Sequence, residues 1–288
     1  MTNISTLIPD IQKLLTSKDG WLTPQLAEEF GKDVAARLHE QHNTEERRPT
    51  LRLSQMGPKC PRALWYSIHH PEEAEPMPPW AENKFSFGHI IEAWAITLAK
   101  AAGHEVTGEQ DVLTVDGIVG HRDCVIDGCV IDVKSAASRS FQKFKDKSIK
   151  EEDTFGYLDQ LDGYLVGCMD DPLVRVHDKG YLLAIDKQLG HMVLYEHTLR
   201  EQHIRKRIVD YKRYIGLPGA PMCECSTIPD GKSGNIKLDT KASYSAFKYC
   251  CFPNLRTFLY SSGPVYLTKV VRKPDVPEID RHGKVVYN

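Results

Sequence analysis

The chain has 288 residues, 41% hydrophobic and 26% charged, with a mean hydropathy of −0.40. That is enough apolar material for one large core or two small ones. No apolar run approaches the roughly 20 residues of a membrane span, and a net charge of −2 excludes attraction to nucleic acid through the overall field, so any affinity for phosphate must be local.

The N-terminus, Met-Thr-Asn-Ile-Ser-Thr, lacks a basic-then-apolar signal pattern, so a soluble, cytoplasmic protein is expected, with no membrane contact. Eight cysteines in that setting point to buried thiols or metal ligation rather than disulfides.

Residues 5–16 carry apolar positions at helical spacing. Thr23-Pro24 supplies an N-cap and a first-turn proline for a helix to about residue 41. These form an expected N-terminal helical appendage over 1–45, without chemistry of its own, and Gln41 to Thr50 reads as a polar linker or exposed loop. Cys60-Pro61 opens a short helix, and Pro71 to Trp80, with four prolines, reads as an extended connection. Phe85 to Ala101 is helical, with His89 and Glu92 three apart on one face. Glu105 to Val115, Ile118 to Ile126 and Cys129 to Ser135 read as strands.

Within these strands Asp127-Gly128, between two β-branched runs, signals a two-residue hairpin turn. The register then pairs residues whose numbers sum to about 255, as the two-residue turn requires. Asp123 falls opposite Asp132 and His121 opposite Lys134, all on one face. Cys124, Ile126, Cys129, Ile131 and Val133 form the other face, a core surface that Arg122 interrupts. Two carboxylates opposed across strands repel, and keeping them together implies a cation between them. All-oxygen ligands with an imidazole nearby suit Mg²⁺ or Mn²⁺ better than zinc. Beyond the hairpin Arg139, Lys143, Lys145, Lys147 and Lys150 are met by Asp146 alone, which suits contact with a phosphate backbone.

Phe155 to Met169 reads as a helix with Tyr157, Gln160 and Tyr164 on one stripe, the last two an i,i+4 pair. Gly180 to Asp186 and His191 to His197 form a second expected hairpin. Leu199 to Tyr214 is a basic helix, and the chain from Pro218 on reads as loop-rich, with Cys223, Cys225, Cys250 and Cys251.

Gly88-His89-x-x-Glu92, Gly120-x-x-Asp123, Asp132-Val133-Lys134 and Gln160-x-x-x-Tyr164 follow one another between residues 88 and 164. In that order they resemble the PD-(D/E)xK nuclease superfamily, and within it the RecB-like exonucleases that include CRISPR-associated and phage-encoded members. The resemblance implies an α/β (α+β) fold: a restriction-endonuclease-like core over 51–270, its central mixed sheet flanked by helices, with a C-terminal tail over 271–288. It implies Asp123, Asp132, His89 and the backbone carbonyl of Val133 as ligands of Mg²⁺ or Mn²⁺. Lys134 would orient or activate water, Gln160 and Tyr164 would brace that strand or touch DNA, and Glu92 would complete the catalytic group.

Many relatives also hold a [4Fe-4S] cluster with one cysteine in a Cys-Pro-Arg segment and three near the C-terminus. Cys60-Pro61-Arg62 matches the first. The C-terminal pattern Cys-x-x-Cys-x₅-Cys ending near Cys251 falls on Ala242 and Ser245, so Cys223 and Cys225 are the expected substitutes beside Cys60 and Cys251. A zinc site or a lost cluster are the alternatives. The expected function is a Mg²⁺-dependent DNA exonuclease of phage or bacterial recombination or replication, acting on DNA with a recombination or replication protein as partner. A structure-specific endonuclease, or a non-catalytic DNA-binding or partner-docking module, stands as the alternative.

Overall fold

A computed structural model describes residues 3–43 and 49–287. Helix α1 (Leu7–Thr16) follows a single 3₁₀ turn, and α2 (Pro24–Asn43) starts where expected, with the Thr23 hydroxyl accepting the Leu26 N–H at 3.2 Å. The expected linker after residue 41 lies partly inside α2, and its residues 44–48 lie outside the described residues. Helix α3 (Pro61–His69) opens at Cys60-Pro61, and α4 (Pro79–Ala101) begins six residues before the expected start. Proline at its first position lacks only an N–H that no turn of helix would use.

Chain contacts divide the protein into two compact units, Met1–Gly57 with Pro79–Arg205, and Pro58–Pro78 with Lys206–Asn288. The first is built on a mixed five-stranded sheet in the order β1 (Val106–Thr107), β4, β5, β6, β7; strands β2 (Val112–Val115) and β3 (Ile118–His121) form a separate antiparallel pair. Strands β4 (Cys124–Ile126) and β5 (Cys129–Ala136) are antiparallel, β5 runs parallel to β6 (Val176–Asp186), and β7 (Met192–Thr198) closes the edge antiparallel to β6. Helices α5 (Ser138–Lys145) and α6 (Tyr157–Gly167) make the crossover that parallel strands require.

The Asp127-Gly128 turn has the backbone its residue types demand, with φ of 50° and 78°. The register is the expected one: Cys124 pairs with Ile131, Val125 with Val130 and Ile126 with Cys129. One sheet face is a core of Cys124, Ile126, Cys129, Ile131, Val133, Leu183 and Ile185, covered by Ala95, Ile96, Leu98 and Ala99 of α4 and by the fully buried Leu7 and Ile11 of α1. The N-terminal helix is thus part of the core.

Two sequence expectations are corrected. The long strand from Ile118 to Ile126 is two strands, because the chain changes sheet at Arg122-Asp123; His121 pairs with Val112 of β2, is exposed, and does not face Lys134. The segment from Pro218 on is not loop-rich. After α7 (Glu201–Ile215) it builds a second five-stranded sheet from β8 (Thr227–Pro229), β9 (Ile236–Leu238), β10 (Arg256–Tyr260), β11 (Gly263–Lys269) and β12 (Glu278–Ile279), in the order β12-β10-β11-β9-β8, with short helices α8 (Thr240–Ser243) and α9 (Lys248–Cys251). Among the described residues no helix is long and apolar enough to cross a membrane.

The hairpin turn is a local test of this architecture. A Cβ at Gly128 would meet left-handed backbone and lie 2.5 Å from Nε of the exposed Arg175 side chain. Gly128→Ala is therefore expected to destabilise the protein by about 1–2 kcal/mol, read as a lowered urea midpoint at unchanged slope.

Candidate active site and cysteine quartet

The regular β4–β5 ladder ends at the Cys124–Ile131 pair. Past it the Arg122 N–H bonds the Asp111 carbonyl, and the fully buried Arg122 guanidinium pairs with Asp111 and Asp171 and lies 3.3 Å from the Cys168 sulfur. With its chain drawn away, β5 has no backbone acceptor for the Val133 N–H. The Asp123 carboxylate fills that place, accepting it through Oδ2 at 2.7 Å. Gly120 belongs to the same departure, since a Cβ there would lie 2.7 Å from Leu53 Cβ in the neighbouring 3₁₀ turn.

Asp132, next along β5, is 1% exposed. Its Oδ1 accepts from Gln160 Nε2 at 3.3 Å. Lys134 Nζ lies 2.7 Å from its Oδ2 as an ion pair. Gln160 ties the group together: its oxygen accepts from Lys134 at 3.2 Å, and its amide donates to the Tyr164 hydroxyl at 2.8 Å. Lys134 also sits over the Tyr157 ring, 4.8 Å from its centroid.

Helix α6 is held in place to present these side chains. The Asp153 carboxylate accepts the N–H groups of Gly156, Tyr157 and Leu158 at 2.8–3.0 Å, satisfying donors that the helix start would leave open. On its far side the buried Asp162 bonds His197 at 2.7 Å and Arg200 at 2.8 Å, and Asp159 bonds Arg200 and His203.

Glu92 of α4 joins the acids. It accepts from Arg37 of α2 at 2.6 Å and from the Gln110 amide at 2.8 Å, while the Gln110 N–H bonds the Asp123 carbonyl. Burial, with repulsion from Glu92 and Asp132, pushes the Asp123 carboxyl well above the usual carboxylate range. Burial raises Asp132 as well, against the pull of Lys134, and burial raises Glu92 against Arg37. Burial works to lower Lys134, but Asp132 and Asp123 outweigh it and hold the ammonium above its ordinary value. The Tyr164 hydroxyl is raised by burial and then by Asp132 and Asp123. These groups therefore share one small volume, and each one's charge is felt by the others.

His89 is half-buried: burial lowers its pKa, and the charges acting on it are Arg37, Glu40, Asp33 and His42 of α2. Arg139, Lys145 and Lys147 are exposed on and just after α5, and Lys143 pairs with Glu152 at 3.0 Å. Sequence reasoning missed Arg37, Gln110 and Asp153, and gave Tyr157 a place but no role. Only Tyr157 carried a signal, as a member of the Gln160–Tyr164 stripe.

The oxygens present fit a hard divalent ion. Asp123, Asp132 and Glu92 are near enough for their charges to act on one another, with Lys134 paired to Asp132 and Arg37 to Glu92, and carboxylate oxygens are the donors such an ion prefers; among the described residues no three of their ligand atoms lie within 4.8 Å of one another.

In the second unit Cys60, Cys223, Cys225 and Cys251 bring their sulfurs within 4.8 Å of one another, and among the described residues this is the set of three or more such ligands that close. Cys60 lies 3.8 Å from Cys251 and 3.9 Å from Cys223. It stands at the start of α3, and its thiol is pulled far down by hydrogen bonds from Cys225 and Cys251, aided by the N–H groups of Ala63 and Glu224. Cys251 is pushed up by the same neighbours. Four thiols this close cannot all ionise without a cation among them. Cys250, beside Cys251 in sequence, turns instead to the Glu73 carbonyl.

No protein-family model matches this chain, and no curated protein matches it. Among solved structures, the protein designated SSO0001 aligns over 77% of this chain and 95% of its own, at 18% identity and a TM-score of 0.42. An alkaline exonuclease, LHK-Exo from Laribacter hongkongensis, aligns over 66% of this chain and 90% of its own, at 12% identity and a TM-score of 0.35. At these levels the likeness carries no argument about this chain, and the site stands on its own geometry.

Asp123→Asn would keep an acceptor for the Val133 N–H while removing a charge that Glu92 and Asp132 repel. In metal-free buffer the variant is expected to gain about 1 kcal/mol, or roughly 2–4 °C in Tm. Millimolar Mn²⁺ should raise the wild-type Tm by mass action and leave that of the variant unmoved.

Proposed function

We propose that the chain is a Mg²⁺- or Mn²⁺-dependent deoxyribonuclease that hydrolyses phosphodiester bonds, working as an exonuclease in phage or bacterial DNA recombination or replication. The observation that carries this reading is the Asp132 carboxylate, 1% exposed and close enough to Asp123 for their charges to repel, with the Lys134 ammonium 2.7 Å from its Oδ2. Asp123 and Asp132 would hold the ion, with Glu92, the Val133 carbonyl and His89 as further donors. A divalent ion bound there supplies an acidified water and positive charge opposite the phosphate.

The chain's own residues have distinct tasks in this reading. Lys134 is held above its ordinary pKa by Asp132 and Asp123 in the metal-free protein. Placed against Asp132, it would orient or activate the attacking water. Gln160 fixes where Lys134 points, and its bonds to Asp132 and Tyr164 make the three side chains one rigid set. Arg37 and Gln110 keep Glu92 turned toward the acids. Arg139, Lys145 and Lys147 offer exposed cations to the phosphate backbone, contacts that position DNA without reading its sequence.

Asp132→Ala and Lys134→Ala are each expected to lower Mg²⁺-dependent digestion at least about 10²-fold while sparing DNA binding. End-labelled linear DNA should be degraded and covalently closed circles left intact; cutting of the circle would assign an endonuclease instead. Protein that leaves single- and double-stranded DNA whole with either ion overturns the reading.

The quartet, in the same proposal, holds a resident metal. Four thiolates serve a [4Fe-4S] cluster and structural zinc alike. The 3.8 and 3.9 Å separations from Cys60, with all four sulfurs within 4.8 Å of one another, favour a single tetrahedral ion, for which about 2.3 Å to each sulfur sets the sulfurs about 3.8 Å apart. A cubane with an iron at each thiolate needs them wider. Metal and acid-labile sulfide analysis of anaerobically purified protein is expected to find zinc, lost in Cys251→Ser together with a drop in Tm. Iron with matching sulfide would assign the cluster.

A further inference from the structure

The N-terminal half of α4 carries three large aromatic side chains in the open: Trp80 is 55% exposed, Phe85 54% and Phe87 55%. This is the helix that delivers Glu92 to the acids. Phe85 is seven residues before Glu92, two turns away, so it stands on nearly the same face about 10.5 Å along the axis. Trp80, Lys84 and Phe87, at i, i+4 and i+7, form a second stripe, and the Lys84 ammonium sits 4.4 Å from the centre of the Trp80 ring.

We propose that this shelf binds unpaired bases, so that the substrate of the acid site is single-stranded DNA or a single-stranded end laid along α4. The proposal rests on the nuclease reading for its direction and on α4 for its content. An exposed ring offers a flat apolar face, and every base offers one in return, but only when it is out of a duplex stack. Polar residues separate these rings: Glu82, Asn83, Lys84 and Ser86. A helix that docked on protein would instead present one continuous apolar stripe.

The charges agree with this occupant. Glu82 and Ser86 turn to α2, where Gln41 bonds both. Lys84 is left beside the rings, a cation for the backbone that such bases would bring. A strand whose phosphate lies at Asp123 and Asp132 reaches Phe85 first, because Phe85 continues the Glu92 face.

The test is fluorescence anisotropy in EDTA with labelled oligo(dT) and a blunt duplex, using Trp80→Ala, Phe85→Ala, their combination and Phe85→Tyr. Exposed rings can be removed without harm to the core, which melting curves check. Each alanine is expected to weaken oligo(dT) binding about 5- to 100-fold with duplex binding unchanged, and Phe85→Tyr to retain affinity. Lys84→Ala should reduce the salt slope by about one phosphate. Wild-type oligo(dT) affinity in the double variant, or equal loss on both DNAs, overturns the shelf. Wild-type protein that binds oligo(dT) through these rings but cleaves nothing with Mg²⁺ supports the shelf and sinks the nuclease reading. Cleavage of single strands by the double variant at the wild-type KM sinks the shelf alone.

Discussion

Two carboxylates held together where a strand leaves its ladder are the constraint around which the first unit is arranged. Asp123 can sit beside Asp132 because its Oδ2 takes the N–H that β5 would otherwise bury unpaired at Val133. One hydrogen bond thus satisfies a backbone donor and fixes a charged side chain in an unfavourable place. Lys134 offsets part of the repulsion and Arg37 pairs with Glu92, but two cations cannot neutralise Asp123, Asp132 and Glu92 together, and all three carboxyls stay raised. Natural proteins keep such frustration where function needs it.

The surroundings hold that arrangement from several directions. Arg122, wholly buried between Asp111 and Asp171, pulls the chain out of the β4–β5 register at the residue before Asp123. Asp153 caps α6, while Asp162, His197 and Arg200 fasten its other side. Gln160 and Tyr164 therefore reach the acids from a helix that cannot rotate. Every brace is a charge-assisted hydrogen bond, shorter and stronger than a neutral one, which is how a crowded set of like charges stays in one geometry.

Local chemistry made the centre of this structure legible and left its edges dark. Asp127-Gly128 admits one kind of turn, and that turn sets which residues face each other as far as Cys124 and Ile131. The register could not reach His121, because what ends it is Arg122 meeting Asp171, a partner 49 positions away. Arg37 looked like an ordinary solvated helix position; it is 8% exposed because Glu92 lies 55 residues on. The second sheet was invisible for another reason. Its strands run from two to seven residues, and β8 is exposed throughout, so no alternation accumulates to be read. The four gathered thiols were anticipated only through the resemblance and its Cys-Pro-Arg segment, with Cys223 and Cys225 as substitutes for positions that fall on Ala242 and Ser245.

Those thiols bear on why the second unit folds at all. Short strands bury little each, and small units with modest cores need covalent or metal staples. Here Cys60 belongs to the start of α3, Cys223 and Cys225 to the segment before β8, and Cys251 to the end of α9. Cys225 also packs against the buried cluster of Leu238, Ala242 and Leu255. A metal held at the quartet, as proposed, would join pieces of chain separated by up to 191 residues and close loops whose entropy local hydrogen bonds of a three-residue strand could not offset. Without it, four thiols in contact, one driven toward thiolate and another away, would be a source of strain at the point where the segments meet. The quartet is better explained as the organiser of that unit than as an ornament on it.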